Sequence, residues 1–412
     1  MSFVENRVDI RPESGEAPFE FSETFFSRTD KRGVIQAGNE VFRRVAHYDW
    51  DKLLGAPHKI IRHPDMPKGV FQLFWDTIKS GQPMGAYVKN NASDGLHYWV
   101  YAIVFPLREG YLSVRLKPGS ELFATIQEEY AALREQELAG TVTPEQSSEA
   151  LLTRIKALGF GSYSTFATHA LAEEIAARDV VLNEAEDRSI VLYRQMMDDV
   201  IELHKLTDAL ALAFGKAGNT PTNMRLIASG LEPTGGPISS LSQNYEQMSN
   251  EISNWFNNFI SNSDNSMGTI QRVIEEGLFQ KCSLRIMRES FKQFERERRS
   301  REKINVPQEL RYLESLSDLC KRNSESGLNQ IGVEVRNIAV AISTMRRYIS
   351  GLGATRVMSK IEAARLGGDK MESMSGIISQ LGDFQTTIEA QLDVIDDKVR
   401  DIQSCAVQAN GC

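Results

Sequence analysis

A change of hydrophobic period near Pro118 constrains this 412-residue chain more than any other feature. Ahead of it, aromatic and β-branched residues alternate in short runs bounded by turn signals. Behind it, apolar residues recur three and four positions apart through segments rich in Glu, Gln, Ala, Leu and Met. Period-two alternation fits strands that bury a face, and three-four spacing fits helices that bury a stripe. The expected fold class is α+β for the N-terminal domain, a five-stranded antiparallel sheet with short helices, followed by a long all-α helical bundle or coiled-coil region. At this length more than one core is expected.

Within the first part, Phe25–Thr29 and Val34–Ala37 flank the turn Asp30-Lys31-Arg32-Gly33, a hairpin signal because Gly tolerates positive φ. Short helices are expected at Asn39–Ala46 and Asp49–Leu54. A longer one follows, opening with Asp65 as N-cap and Pro67 in its first turn, with the apolar stripe Val70, Phe71, Phe74, Trp75 and Ile78. Three strands come next: Met84–Ala92, Leu96–Leu107 and Tyr111–Leu116. After Pro118 a polar helix runs to about Leu138, and Thr143-Pro144-Glu145 restarts another. A further helix from about Glu186 ends near Gly215, before a Pro and Gly cluster over 221–237 that reads as a sharp reversal.

Three seams then share helical spacing. The first is Ile238, Leu241, Tyr245, Met248, Ile252, Trp255 and Phe259. The second is Leu328, Ile331, Val335, Ile338, Ile342, Met345, Ile349 and Leu352. The third is Met374, Ile377, Leu381, Phe384 and Ile388, slipping by one residue to Leu392, Ile395, Val399 and Ile402. The mixed run 295–303 alternates charge and reads as a solvated helix face. The expected organisation is a flexible N-terminus at 1–19, a sensory domain at 20–118, connecting helices at 119–185, a helical signalling and dimerisation region at 186–402, and a tail at 403–412.

A formal net charge of −8 argues against a general electrostatic grip on nucleic acid or anionic lipid. No apolar run is long enough for a membrane span, and Met1–Pro18 lacks the basic and apolar parts of a secretory signal, so a cytoplasmic location is expected. Cys282, Cys320, Cys405 and Cys412 are scattered, without metal-ligand spacing, and read as free thiols. No catalytic Ser/His/Asp order, phosphate-binding glycine loop, kinase phosphoacceptor segment or diguanylate-cyclase signature occurs, and the chain is not expected to be an enzyme.

The stretch Gly55-Ala56-Pro57-His58-Lys59-Ile60-Ile61-Arg62-His63-Pro64-Asp65-Met66-Pro67-Lys68, with Trp75 beyond it, resembles the flavin-binding PAS domain of bacterial aerotaxis receptors. The similarity continues through Gly85-Ala86-Tyr87-Val88-Lys89-Asn90, Asp94-Gly95, Tyr98-Trp99-Val100 and Gly110-Tyr111-Leu112-Ser113-Val114-Arg115, about a quarter of the chain. The resemblance implies an FAD pocket whose contacting or shaping residues fall on Asn39, Arg62, His63, Asp65, Trp75 and Asn90. Chemistry agrees: Arg62 offers a fork of donors, Asn90 an amide for a pyrimidine edge, and Trp75 a plane for stacking. One departure is Gln82-Pro83-Met84, where similar receptors often carry Trp.

The implied function is a redox or oxygen sensor for aerotaxis or chemotaxis. Its partners would be a chemotaxis kinase or adaptor, with homodimerisation through the helices. Light sensing by a cysteinyl adduct is excluded, since no Cys precedes Cys282. Short stretches are similar to a chemoreceptor hairpin: Asn223–Glu232 with Gly235-Gly236, Ile361–Arg365, and Glu334–Ala339. Two alternatives stand beside this reading: a cofactor-free PAS scaffold for protein–protein interaction, and a haem gas sensor using His58, His63 or His97.

Overall fold

The computed structural model describes residues 10–217, Leu226, 237–260, 266–297, 303–366 and 368–411. Strands β1 (Phe25–Asp30) and β2 (Ile35–Gly38) open the domain. Helices α1 (Glu40–Ala46) and α2 (Trp50–Leu53), a 3-10 turn at His58–Ile61 and helix α3 (Lys68–Lys79) follow, then strands β3 (Met84–Asn91), β4 (His97–Leu107) and β5 (Gly110–Leu116). The sheet order is β2-β1-β5-β4-β3 with every neighbouring pair antiparallel, which is the five-stranded antiparallel sheet expected, in an order the sequence left open. The β1–β2 turn closes because Asp30 accepts from the backbone N–H of Arg32 (2.8 Å) and Val34 (2.9 Å), with Gly33 at φ +79°.

Strand parity divides the sheet into two faces. Registers that pair Phe25 with Arg115, Ser27 with Ser113 and Val88 with Val100 place those residues toward α1–α3. Phe26, Tyr87, Trp99, Tyr101, Phe105, Leu112 and Val114 lie on the other face. That face is covered by helix α4 (Glu121–Leu138), which follows β5 directly, and by α6 (Tyr163–Leu182) and α9 (Ser266–Arg296) from later in the chain. Phe123 of α4 stacks on Tyr87 at 5.5 Å, and Phe294 of α9 meets Phe26 at 5.2 Å. Gln293 of α9 also brackets Thr24, accepting from its N–H and donating to its carbonyl, both at 2.9 Å. Where α10 (Val306–Leu366) begins, Glu309 takes a two-pronged ion pair from Arg28, as short as 2.7 Å.

The start of α3 differs from the sequence expectation. Pro67 occupies the N-cap and offers no side-chain bond, while Asp65 is turned outward to Lys89 at 2.7 Å. The free N–H groups of Lys68 and Gly69 are instead accepted by the Glu137 carboxylate from the end of α4, at 2.9 and 3.0 Å. Ser147 of α5 (Pro144–Ala157) donates to the same carboxylate at 2.7 Å. Burial would raise the pKa of this carboxyl, but these three contacts and a fourth from Arg134 hold it below the usual carboxylate range. Gly69 packs so closely on Ser147 and Ser148 that an added Cβ would lie about 2.5 Å from both. Helix α5 itself opens with the Thr143–Gln146 capping box.

Of the segment expected to be flexible, residues 10–19 are described. The Ala17 N–H donates to the His97 carbonyl (2.7 Å), the His97 N–H donates to that of Gly15 (3.0 Å), and Phe19 is buried. The exit from β5 is tied down as well. Glu174 of α6 accepts from the N–H of Gly119 (2.6 Å) and Ser120 (3.2 Å), from the Ser120 hydroxyl (2.5 Å) and from the Tyr87 hydroxyl (2.7 Å). Burial pushes that carboxyl's pKa up, and the four donors oppose the shift.

The chain packs as two units. One joins the residues up to Ile190 with Glu275–Glu325, and the other joins Val191–Ile274 with Ser326–Cys412. The second unit contains α7 (Arg188–Ala217) after Ile190, α8 (Pro237–Ile260), most of α10, and α11 (Gly368–Asn410). The seam from Leu328 to Leu352 is buried along α10, and Leu381, Ile388, Leu392, Ile395, Val399 and Ile402 are buried along α11. Contacts Arg346–Asp393 (2.7 Å) and Gln385 to the Ile349 carbonyl (3.1 Å) run these two helices antiparallel. Lys398 joins α11 to Asp199 and Glu202 of α7. The chemoreceptor-like stretches Glu334–Ala339 and Ile361–Arg365 lie on the one helix α10. Apart from Leu226, Asn223–Glu232 lies outside the described residues, as do the side chains of Ile238, Ile252, Trp255, Phe259 and Met374 and residues 298–302 of the charged run. Among the described residues no helix is long and apolar enough to cross a membrane. Cys282, Cys320 and Cys405 are buried and lie outside any disulfide.

Replacing Glu137 by Ala strips two helix N–H groups and one hydroxyl of their acceptor. A loss of about 1–2 kcal/mol is expected, read as a lower urea midpoint in circular dichroism with unchanged helix content before the transition. An unaltered midpoint would remove the cap from the account.

Candidate functional site

Between the inner sheet face and α1–α3 lies a cavity of about 350 Å³, inside the range of ~300–1,000 Å³ usual for small-molecule sites. One wall is aromatic: Phe71, Phe74 and Trp75 from α3. Trp75 stands edge-on to Tyr111 of β5 at 5.5 Å, and a Cβ at Gly33, whose φ is +79°, would meet its ring at 3.1 Å, so a side chain there would be strained and would press on the indole. The opposite wall is the sheet itself, Val88, Ala102 and Val104. Met84, at the departure from the receptor pattern, is buried beside the cavity in a cluster with Ile78, Ala86 and Val104, against which Trp75 packs.

The polar groups fall into a rim and a floor. Arg32, Lys59 and Arg62 are exposed residues on the rim, and Arg62 lies over the Phe71 ring at 3.5 Å. The floor is formed by Ser27, His58, Ser113 and Arg115. Arg115 is 5% exposed on the central strand β5, and its Nη2 donates to Ser27 Oγ and to His58 Nε2, each at 2.8 Å. A guanidinium has no acceptor, so His58 must present a bare Nε2 and carry its proton on Nδ1. Arg115 Nη1 and Ser113 Oγ are buried with no hydrogen-bond partner. Burial lowers the Arg115 pKa to about 10, which leaves it charged at neutral pH. Among the described residues no Asp or Glu lines the cavity: four cations face it without a lining carboxylate.

Of the residues marked by sequence, Arg62, Trp75 and Asn90 come together on this cavity. Asn90 is buried on β3, across an isolated bridge from Arg62. Asn39, His63 and Asp65 do not line it. Asn39 is wholly buried as the N-cap of α1: its Oδ1 accepts from Phe26 (3.0 Å) and Phe42 (3.2 Å), and its Nδ2 donates to the Thr24 carbonyl (2.8 Å). His63 and Asp65 sit at the outer edge of β3, where the Asp65 N–H donates to His63 Nδ1 at 3.1 Å and the His63 ring lies 6.0 Å from His97. Burial and nearby Lys89 lower the His63 pKa.

Sequence reasoning missed the floor. The signal was parity: Tyr111, Ser113 and Arg115 alternate on one strand, so an arginine followed two serine- and tyrosine-bearing inward positions on a strand with neighbours on both sides. Charged residues are seldom buried without a task. His58, considered above as an iron ligand, instead has its one available lone pair engaged by a cation.

A five-stranded antiparallel sheet in this order, cupped by short helices around a ligand-sized cavity, is the PAS fold, and the N-terminal part of the chain is a PAS domain. Residues 37–112 match the family described as PAS fold. The aerotaxis receptor of Escherichia coli strain K12 is 41% identical over 115 residues, 27% of this chain and 23% of that receptor. This chain thus spans under a quarter of the length of the curated relative it matches. Among solved structures, the light state of the blue-light photoreceptor Aureochrome1 LOV domain is 24% identical, covering 25% of this chain and 89% of its own, with a TM-score of 0.23. A Light-Oxygen-Voltage domain studied with a flavin analogue is 22% identical, covering 26% and 86%, with a TM-score of 0.23.

Burial and the charges of Arg115 and Arg62 lower the His58 pKa from 6.5 to about 3. Below about pH 6.5 the unfolded chain therefore binds a proton that the folded chain refuses, so this contribution is complete above that pH and lost on acidification toward pH 3. Between pH 7.5 and 5.0 the folded state should lose about 2 kcal/mol from this group, and His58→Gln should lose correspondingly less. Equal losses in urea titrations at the two pH values would contradict the assignment.

Proposed function

We propose that the PAS cavity binds FAD and that the chain is a redox or oxygen sensor passing its state to the helical region. The observation that carries this reading is the cavity's composition: a flat aromatic and aliphatic slot, four lining cations and no lining carboxylate. Such a site favours a planar ligand with a polar edge and a negatively charged tail. The fit to a flavin rests on unused capacity. Arg115 Nη1 and Ser113 Oγ are buried without partners, and burying such groups is costly unless a ligand or water satisfies them.

Trp75, Phe74 and Phe71 would hold the ring, Asn90, Ser113 and Arg115 its polar edge, and Arg62, Lys59 and Arg32 the diphosphate. Asn39 would shape the pocket indirectly by tying α1 to β1, and His63 with Asp65 by fixing the segment that leads into α3. When bound, the flavin supplies reversible two-electron chemistry, in which two electrons and one proton from a small reductant leave a negative charge on the pyrimidine edge of the ring. Among the described residues no cysteine lines the cavity, so adduct-forming photochemistry lacks its nucleophile.

The residues around the cavity offer routes outward. Helix α3 carries the aromatic wall, and its N-terminus is grasped by Glu137 of α4 and packed on α5. Strand β5 leaves the sheet directly into the Glu174 contacts. A change of ligand charge that favours one arrangement of these contacts would shift a two-state equilibrium. In this reading the chain is a non-enzymatic cytoplasmic signalling protein. Its output is a helical homodimer that engages a chemotaxis kinase or adaptor, in line with the receptor similarity.

The test is the absorbance of purified protein, with and without added FAD, before and after anaerobic dithionite. Twin flavin bands that bleach are expected, and Arg62→Ala and Trp75→Ala should each lower flavin content at least tenfold with helix content kept. A featureless spectrum after FAD addition would favour the cofactor-free scaffold, and a Soret band the haem sensor.

A further inference from the structure

The floor of the cavity has a feature that binding alone does not require. Rim cations suffice to attract an anionic tail, and they are exposed where water and salt screen them. Arg115 is different. It is a charged guanidinium buried on a central strand, and among the described residues no carboxylate pairs with it. Its two hydrogen bonds go to neutral acceptors, Ser27 Oγ and His58 Nε2, and the ring of Phe42 lies 5.6 Å away. Its remaining amino group, Nη1, has no partner. A buried cation whose field is not cancelled by a counter-ion acts strongly on any charge that appears nearby, because the surroundings are weakly polarisable.

His58 completes the arrangement. A carboxylate in its place would neutralise Arg115, and a protonated imidazole would repel it; the neutral ring orients the guanidinium while leaving its charge free. We propose that Arg115, oriented by neutral His58, is the residue that reads the oxidation state of the bound flavin, by favouring the ring when it carries the added negative charge.

This inference rests on the flavin reading given above and assigns the discrimination between the two states to one side chain. Arg115 also suits the onward step. It is paired across the sheet with Phe25 on β1 and Ala102 on β4, bonds to Ser27 on β1, and stands four residues before Gly119, where Glu174 grips the chain. Drawing the guanidinium toward a new charge loosens its hold on Ser27 or His58, at the strand that leads out of the domain.

The experiment is a dye-coupled anaerobic titration of the flavin in the full chain. It compares wild type, Arg115→Gln, which removes the charge, and His58→Glu, which cancels it without deleting the guanidinium; Arg115→Lys serves as the conservative variant. Flavin content of the oxidised proteins, read from the absorbance ratio at the flavin and protein bands, is a separate readout. In whatever fraction of each neutralising variant takes up oxidised flavin, the preference for the reduced form should fall at least tenfold, a fall in midpoint potential of about 30 mV or more for a two-electron couple. Arg115→Lys should recover part of it.

Should Arg115→Gln fail to fold, His58→Glu still decides the matter. If wild type binds flavin and the midpoint is unchanged in the neutralising variants that bind it, the role of Arg115 is overturned while the sensor reading stands. If wild type takes up no flavin even with excess FAD, the sensor reading falls and this inference with it.

Discussion

A sheet whose two faces are both apolar must be covered on both, and the way each face is covered determines the rest of this molecule. The outer face, with Tyr101, Leu112, Val114 and Leu116 fully buried, is closed by α4, which follows β5 directly, and by long helices from later in the chain. Burying such side chains is worth roughly 1.5–3 kcal/mol each, so α4, α6 and α9 belong to the domain's stability. The inner face is covered by the short α1, α2 and 3-10 turn, by α3 and, over Phe25 and Tyr98, by Phe19 of the N-terminal segment. Their geometry leaves a gap over β5 and β4, and that gap is the cavity.

The polar contacts cluster where elements distant in sequence meet. Glu137 caps α3 from α4, Glu174 gathers four donors at the exit of β5, and Glu309 engages Arg28 from the start of α10. Each is a carboxylate placed where backbone N–H groups or a guanidinium would otherwise be buried unpaired, which costs more than the bond itself contributes. Arg115 inverts this pattern. It is a buried charge with no opposite charge beside it among the described residues, and the polar atoms around it are left for something that enters the cavity.

The helical region follows a simpler rule. Apolar residues three and four apart produce buried seams on α10 and α11, and ion pairs such as Arg346–Asp393 and Lys398–Asp199 fix how the helices face one another. The seam that slips by one residue after Ile388 stays buried through Ile402, consistent with a local adjustment of helix winding. The boundary between the two packing units falls inside α10, so one continuous helix takes part in both cores.

Much of this molecule is legible in its sequence alone. Period-two alternation, the Asp30–Gly33 turn and three-four seams are local properties, readable because backbone geometry repeats along the chain, and they located the strands and the hairpin to within a few residues and the buried seams of α10 and α11. Arg62, Trp75 and Asn90 were legible as site residues through resemblance and chemistry. The rest was decided by tertiary structure, because it depends on contacts between residues far apart in sequence. Asp65 lost its expected capping place because Glu137, some seventy positions later, reached the same N–H groups. Helix α9 covers the sheet through contacts such as Phe294 on Phe26, which no local pattern in its sequence announced. Arg115 and His58 acquired meaning only when the fold placed a donor with no acceptor of its own against a ring nitrogen 57 positions away, inside a cavity with no lining carboxylate.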